Sequence, residues 1–149
     1  MAVDMFLKVD GIEGESQDEK HAKEIDVLAW SWGMSQSGTM HAGGGGGGGK
    51  VAVQDVSVTK YVDASSNALM QACCKGKHIP NVLLSVRKAG GEALDYIKLT
   101  MQECVVSAIS TGGSGGEDRL TENVTFNFAK FKYAYTPQKQ DGTADAAKE

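Results

Sequence analysis

Cysteine and proline are scarce in this 149-residue sequence, which has three cysteines and two prolines. Two of the cysteines, Cys73 and Cys74, are adjacent, and an odd number cannot pair completely. The chain therefore lacks a disulfide framework, and we expect it to be made in a reducing compartment. With so few prolines there are few obligatory breaks, so long strands are allowed.

An excess of positive charge is also lacking. Lysine and arginine number 15 against 19 acidic residues, which gives a net charge of -4. No cluster of basic residues forms the stripe that binding to a phosphate backbone requires. The composition therefore argues against nucleic acid as a partner.

Long apolar runs are absent as well. Asp4 interrupts the apolar residues at the N-terminus, and no cationic leader precedes them. The sequence therefore predicts neither a cleaved signal peptide nor a membrane-inserted helix. We expect synthesis in the cytoplasm, followed by secretion, if it occurs, through a route that removes no leader.

What the sequence does contain is a series of strand-like segments. They are rich in valine, isoleucine, threonine and aromatic residues, and glycine separates them more often than proline. The second segment is apolar on both faces, which indicates burial on both sides or burial against a partner. The predicted strands span residues 4–9, 25–34, 51–62, 80–89 up to a Gly90–Gly91 turn, 96–107 and 120–135.

One segment has a helical period. Leu69, Ala72 and Cys73 recur at the spacing of an apolar stripe, which predicts a helix at about Ser66–Lys75. Ser65 or Ser66 is predicted to cap its N-terminus, and Gly76 to end it in the left-handed conformation.

Many strands, one helix and no alternation of strands with helices predict a mainly β fold. The expected architecture is a two-sheet antiparallel β-barrel or sandwich with one flanking α-helix. Residues 1–137 are predicted to form one domain, and the small, charged segment 138–149 a mobile C-terminal tail.

A run of seven glycines before Lys50 matches a phosphate-binding loop superficially. Val51 stands where such loops need serine or threonine, and a strand rather than a helix is predicted to follow, so nucleotide binding is rejected. The segment 43–50 reads either as a flexible linker-like loop or as a loop that docks on a partner subunit. The second reading explains why a loop that is costly to order would be kept.

Residues 112–116 fit the G-x-S-x-G pattern of serine hydrolases, with Ser114 as the nucleophile. That arrangement needs a histidine later in the chain, but the last one is His78, so Ser114 is interpreted as a loop residue. Cys74 and His78 lack a C-x-x-C pair that would complete a metal site. We predict no catalytic residues, no metal and no cofactor, and keep a serine hydrolase as a third hypothesis.

Trp30 and Trp32 lie two residues apart, on the same face of a predicted strand. Such a pair can form a platform for sugars, although a core or interface pair is commoner. The alternative function is therefore a monomeric β-sandwich that binds carbohydrate.

Several segments of the sequence are characteristic in detail. On these the chain resembles the haemolysin-coregulated protein family, the tube subunits of type VI secretion systems, over residues 1–138. The matching segments are MFLKVDGI at 5–12, WSWG at 30–33, HIP at 78–80 and STGGSGGEDRLTENV at 110–124, followed by Phe126, Phe128, Ala129 and Lys130.

The resemblance implies a barrel similar to that of phage tail-tube proteins, with six copies closing into a ring. It implies rings stacked into a tube, a contractile sheath around the tube, a spike protein at its tip and small effector proteins carried in its lumen. It implies no enzymatic activity of the chain itself, and any toxic activity is expected from separate cargo.

Two loops are candidate subunit interfaces. In the family, the loop after the second strand reaches a neighbouring subunit or ring. Small polar side chains suit a lumen, which makes Ser31 and Ser114 candidates to line it. The interface candidates are Gly43, Gly46, Gly49 and Lys50 in one loop, and Gly112, Gly113, Gly115, Gly116, Glu117, Asp118 and Arg119 in the other.

Overall fold

A computed structural model describes residues 3–38, 50–88, 94–137 and 146–148. Within these ranges the chain forms eight strands and one helix. In chain order they are β1 (Val3–Val9), β2 (Ile25–Ser31), β3 (Met34–Gln36), β4 (Val51–Val53), β5 (Val56–Tyr61), α1 (Ser66–Lys75), β6 (Ile79–Lys88), β7 (Leu94–Thr111) and β8 (Thr121–Tyr135).

Six of the strands close into a barrel in the order β1-β2-β5-β8-β7-β6, and each neighbouring pair is antiparallel. β3 and β4 form a separate two-stranded ribbon. The predicted mainly β barrel with one flanking helix is confirmed.

The barrel interior is filled by the apolar side chains that alternate along its strands. On β8, Val124 and Phe126 are fully buried, whereas Asn123, which precedes them, and Asn127, which follows them, are exposed. This period of two places every second residue in the core. α1 adds Leu69 and Ala72 to the same cluster, so the helix covers the barrel as the sequence predicts.

α1 spans the residues that the apolar stripe predicts. Gly76 ends it with a φ of 60°, as predicted, and donates its backbone N–H to Cys73 O. The predicted side-chain cap was wrong. The Ser65 hydroxyl donates to Asp63 Oδ1 at 2.5 Å, and the Ser66 hydroxyl donates to a buried carboxylate, so neither is directed at the helix N-terminus.

Two predicted strands are each broken by a bend. The predicted strand 25–34 divides into β2 and β3, and 51–62 divides into β4 and β5. At the bend, Gln54 N donates to Gly33 O and the Trp32 indole donates to Gln54 O, each at 2.9 Å. These bonds turn the β3–β4 ribbon away from the barrel.

The charged segment 15–24 is a loop that is exposed at most positions, as its composition indicates, but two of its residues are not solvated. Ser16 and His21 are buried. The two ring nitrogens of His21 lie 3.0 Å from Glu24 and 3.1 Å from Asp95, and the ring stacks on Phe6 with centroids 4.3 Å apart. The local composition could not show these partners, because Phe6 and Asp95 come from β1 and β7.

Several predicted features lie outside the described residues. They include the glycines Gly43, Gly46 and Gly49, the Gly90–Gly91 turn and residues 138–145. Near the C-terminus, Tyr135 and Lys148 exchange two backbone hydrogen bonds of 2.7 and 2.6 Å. The mobility of the tail stays a prediction.

Candidate interaction surfaces

The β7–β8 hairpin has two stretches of strand edge without a partner among the described residues. β5 pairs with β8 only as far as Phe126, so within the described ranges Asn127–Phe131 of β8 has no strand on the side that faces away from β7. β6 begins opposite Cys104, so residues 105–111 of β7 lack a strand on their other edge. Unpaired backbone groups of this kind are templates for pairing with another chain.

The β3–β4 ribbon exposes large apolar side chains. Met34, Val51 and Val53 are 49%, 53% and 39% exposed, and Met34 and Val53 are cross-strand partners. An isolated two-stranded ribbon is only marginally stable in water. Burial of its exposed apolar side chains against another surface would therefore stabilise the ribbon.

Aromatic side chains on β8 lie beside this ribbon. Phe131 packs edge-on against Trp32, with ring centroids 4.8 Å apart, and Tyr133 stacks on Trp32 at 6.4 Å. Phe131 also lines a small notch together with Val53. Phe131 and Tyr133 are 41% and 37% exposed, so apolar surface continues from the ribbon onto β8.

The loop 112–119 is exposed at every position. A Cβ atom added at Gly112, Gly115 or Gly116 would meet no atom within 4 Å, whereas one at Gly113 would lie 2.8 Å from the Leu120 side chain. Arg119 places its guanidinium 3.7 Å from the centre of the Tyr61 ring, a cation–π contact that fixes the end of the loop to β5.

The other predicted site residues that lie within the described ranges are also exposed. Lys50 directly precedes β4, and Ser31 ends β2. The Ser114 hydroxyl accepts only from Gly116 N, at 3.5 Å, and no helix follows it before β8 begins. The strand–turn–helix context of a hydrolase nucleophile is therefore missing around Ser114.

Trp30 and Trp32 are both half-buried and pack against the core cluster. The Trp32 indole N–H is already bonded to Gln54 O. Both side chains thus make contacts within the molecule, and this arrangement disfavours a flat platform for binding sugar.

The structure contains a buried ionic cluster that the sequence patterns did not predict. Lys60 and Glu122 are fully buried and form an ion pair. Ser66 donates to Glu122 at 2.6 Å, and Asp63 lies 3.0 Å from the Lys60 ammonium. The only available signal was the position of both charges in register with the apolar residues of their strands.

Among the described residues no three His, Cys, Asp or Glu side chains are grouped as a metal site. No helix in the same part of the chain combines the length and apolar character needed to cross a membrane. One groove, of about 600 Å³, lies between β1 and β2 and includes Arg87, whose charge is already paired with Asp4 and Asp18.

A closed antiparallel barrel with unpaired edges, an apolar ribbon and a glycine-rich exposed loop describes a self-associating β protein. Residues 6–135 match the model of the family described as type VI secretion system effector, Hcp. The chain belongs to this family of type VI secretion proteins.

The relatives agree. Protein hcp1 of Pseudomonas aeruginosa strain PAO1 is 64% identical over 146 residues, which cover 97% of this chain and 90% of the relative. The solved structure of Hcp1 from Salmonella typhimurium is 42% identical with a TM-score of 0.80, over 97% of this chain and 92% of that one. A type VI secretion system effector from Yersinia pestis is 35% identical with a TM-score of 0.77, over 98% and 99%.

Proposed function

We propose that this chain is the structural subunit of a type VI secretion tube. Six copies close into a ring, rings stack into an exported tube, and effector proteins travel in the lumen. The chain has no catalytic role in this proposal. Its other partners are the spike protein that caps the tube and the contractile sheath that surrounds it. It leaves the cytoplasm with the tube.

The observation that carries the proposal is the pair of unpaired edges on the β7–β8 hairpin. Among the described residues, one is the outer edge of β8 at residues 127–131, and the other is the outer edge of β7 at residues 105–111. Because they lie on opposite sides of the hairpin, one copy can present its β8 edge to the β7 edge of the next. Such a head-to-tail contact closes into a ring when the rotation between copies is right.

The ribbon and the loop add contact area. A stable interface buries roughly 1,200–2,000 Å² in total, more than one strand edge supplies. Met34, Val51 and Val53 on the ribbon offer apolar surface for the core of such a contact. The open glycines of loop 112–119 leave space that a neighbouring chain can fill.

The first test is the solution mass of the purified chain, measured by light scattering behind size exclusion over a range of concentrations. A mass near six times 15.7 kDa is expected. A particle that stays at 15.7 kDa at all concentrations would contradict the ring and favour the monomeric carbohydrate-binding module.

A loop variant tests where the contact lies. A Cβ atom added at Gly115 has no other atom within 4 Å, so Gly115→Glu should be tolerated within the subunit and should disturb mainly a contact with a partner chain. We expect loss of the ring with an unchanged circular dichroism spectrum. Gln71→Glu adds the same charge on the exposed face of α1 and serves as the matched control, which is expected to keep the ring.

Cargo is tested separately from ring formation. If Ser31 and Ser114 line the lumen, Ser31→Trp should leave the ring mass unchanged and reduce co-purification of effectors co-expressed with the chain. The same substitution at Gln71 is the control. Equal effector recovery from both variants would place Ser31 outside the lumen.

A further inference from the structure

Lys60 and Glu122 are direct cross-strand partners in the β5–β8 ladder. Both side chains are fully buried, on the face that carries Val58 and Val124. Removing two charges from water is costly, and a buried ion pair contributes little net stability compared with apolar side chains of similar size. One carboxylate oxygen of Glu122, Oε2, also has no hydrogen-bond partner. The pair is therefore poorly explained as a source of stability.

The apolar pattern of these strands leaves their register open. A slip of two residues between β5 and β8 keeps every side chain on the same face, because strands alternate with a period of two. In one direction Val56 and Val58 would face Phe128 and Phe126, and in the other Val56 would face Val124 and Val58 would face Glu122. Such a slip would set Lys60 opposite Leu120 or Val124. Lys60 would keep its contact with Asp63, but Glu122 would be buried without its cation, which is strongly unfavourable.

The register decides where the loop 112–119 lies. The ladder continues to a backbone bond of 3.0 Å from Val62 N to Leu120 O, directly after the loop. Four of the eight loop residues are glycine, so the loop has little shape of its own and its position depends on its anchored ends. Ser66 also ties Glu122 to the start of α1.

We infer that the Lys60–Glu122 pair is a register lock, which positions the loop 112–119 relative to β5 and α1. Its value lies in excluding slipped pairings and not in added stability. The consequence for assembly rests on the proposed ring, because a displaced loop would no longer fit the next subunit. The register itself can be measured whether or not a ring forms.

Cysteine pairs report the register directly. Ser57 and Thr125 are partners whose hydroxyl oxygens lie 3.1 Å apart, so Ser57→Cys with Thr125→Cys traps the native register as a disulfide. Ser57→Cys with Asn123→Cys, or with Asn127→Cys, traps a slip of two residues in either direction. Peptide mapping after oxidation distinguishes these links from any that involve Cys73, Cys74 or Cys104.

The apolar double variant, Lys60→Met with Glu122→Leu, removes the pair. The double glutamine variant, Lys60→Gln with Glu122→Gln, removes the charges but keeps two polar side chains that can hydrogen-bond to each other. In the apolar double variant we expect a slipped link increased by roughly tenfold or more, because the unpaired-charge penalty is gone. We also expect loss of the six-subunit mass at unchanged or higher melting temperature. In the double glutamine variant, the native link and the ring mass should both persist.

Three results would overturn the inference. The first is an apolar variant that shows only the native link and keeps its ring. The second is a slipped link in the double glutamine variant, which decides the question even if the apolar variant fails to fold. The third is a slipped link that is as abundant in the unmodified background as in the apolar variant. If the wild-type chain is monomeric and the cross-links differ between the variants as expected, only the ring proposal is contradicted.

Discussion

The Arg87 guanidinium lies 2.6 Å from the Asp18 carboxylate and joins the segment 15–24 to the end of β6. This hydrogen bond is the main reason that the pKa of Asp18 falls from 3.8 to about 2. A carboxyl with a lowered pKa stabilises the fold at pH values above its unfolded pKa. That stabilisation is lost as pH falls through the folded pKa, here between about pH 4 and pH 2.

Asp18→Asn should therefore flatten the pH dependence in that window. We expect a loss of about 1 kcal/mol at pH 7, the size of a charge-assisted contact near the surface, and a melting temperature lower by about 2–4 °C. Thermal unfolding of both proteins from pH 7 to pH 2 measures it. Asp4→Asn is the control, because Asp4 is 58% exposed and lies farther from Arg87, at 3.2 Å. Equal acid sensitivity of wild type and Asp18→Asn would contradict the assignment.

Gly14 is required for steric reasons. A Cβ atom there would lie 2.6 Å from the backbone oxygen of Glu24 and 2.8 Å from Ile25 Cα, neither of which can move without shifting the start of β2. Gly14→Ala should cost about 1–3 kcal/mol, as overpacking does, measured by urea unfolding. Gly38→Ala, at a glycine with no atom within 4 Å of the added Cβ, should unfold like the wild type.

The β8 edge can be tested with proline. Tyr135 N–H points toward Lys148 and away from β7, so by strand alternation the Tyr133 N–H points to the same unpaired edge. Tyr133→Pro removes a donor for which the described residues supply no acceptor, and should reduce the ring mass while the barrel stays folded.

Two controls separate the edge from other effects. Tyr133→Thr removes the aromatic side chain but keeps the backbone N–H, and should assemble better than Tyr133→Pro. Ala134→Pro removes a donor that alternation directs toward β7, and should destabilise the barrel itself. If both Tyr133 variants assemble equally, the β8 edge plays no part in the contact.

The three cysteines should differ sharply in reactivity. Burial raises the pKa of Cys104 to about 11, so at pH 8 only about one molecule in a thousand carries the thiolate, and the side chain is also inaccessible. Cys74 is exposed and should be alkylated first by iodoacetamide. Mass spectrometry after timed labelling measures the order, and denaturant should equalise the three. Rapid labelling of Cys104 in the native chain would show that the barrel opens.

Local pattern sufficed where one element determines the outcome. The apolar stripe of α1 and the left-handed Gly76 follow from neighbours within a few residues, and both were predicted correctly. The alternation of Val124 and Phe126 likewise predicted the buried face of β8. The predicted Ser65 cap failed because the nearby Asp63 accepts its hydroxyl, whereas the burial of His21 could not be predicted because Phe6 and Asp95 are distant in sequence.

The sequence by itself determined the class of fold, the position of α1 and, through its long motifs, the family. Only the tertiary structure decided which strands close the barrel, where β2 and β5 bend away into the ribbon, and which edges stay unpaired. It alone placed Lys60 opposite Glu122. The reason is physical: side-chain periodicity depends on a strand's own residues, whereas register, edge pairing and the partner of a buried charge depend on segments that meet only when the chain has folded.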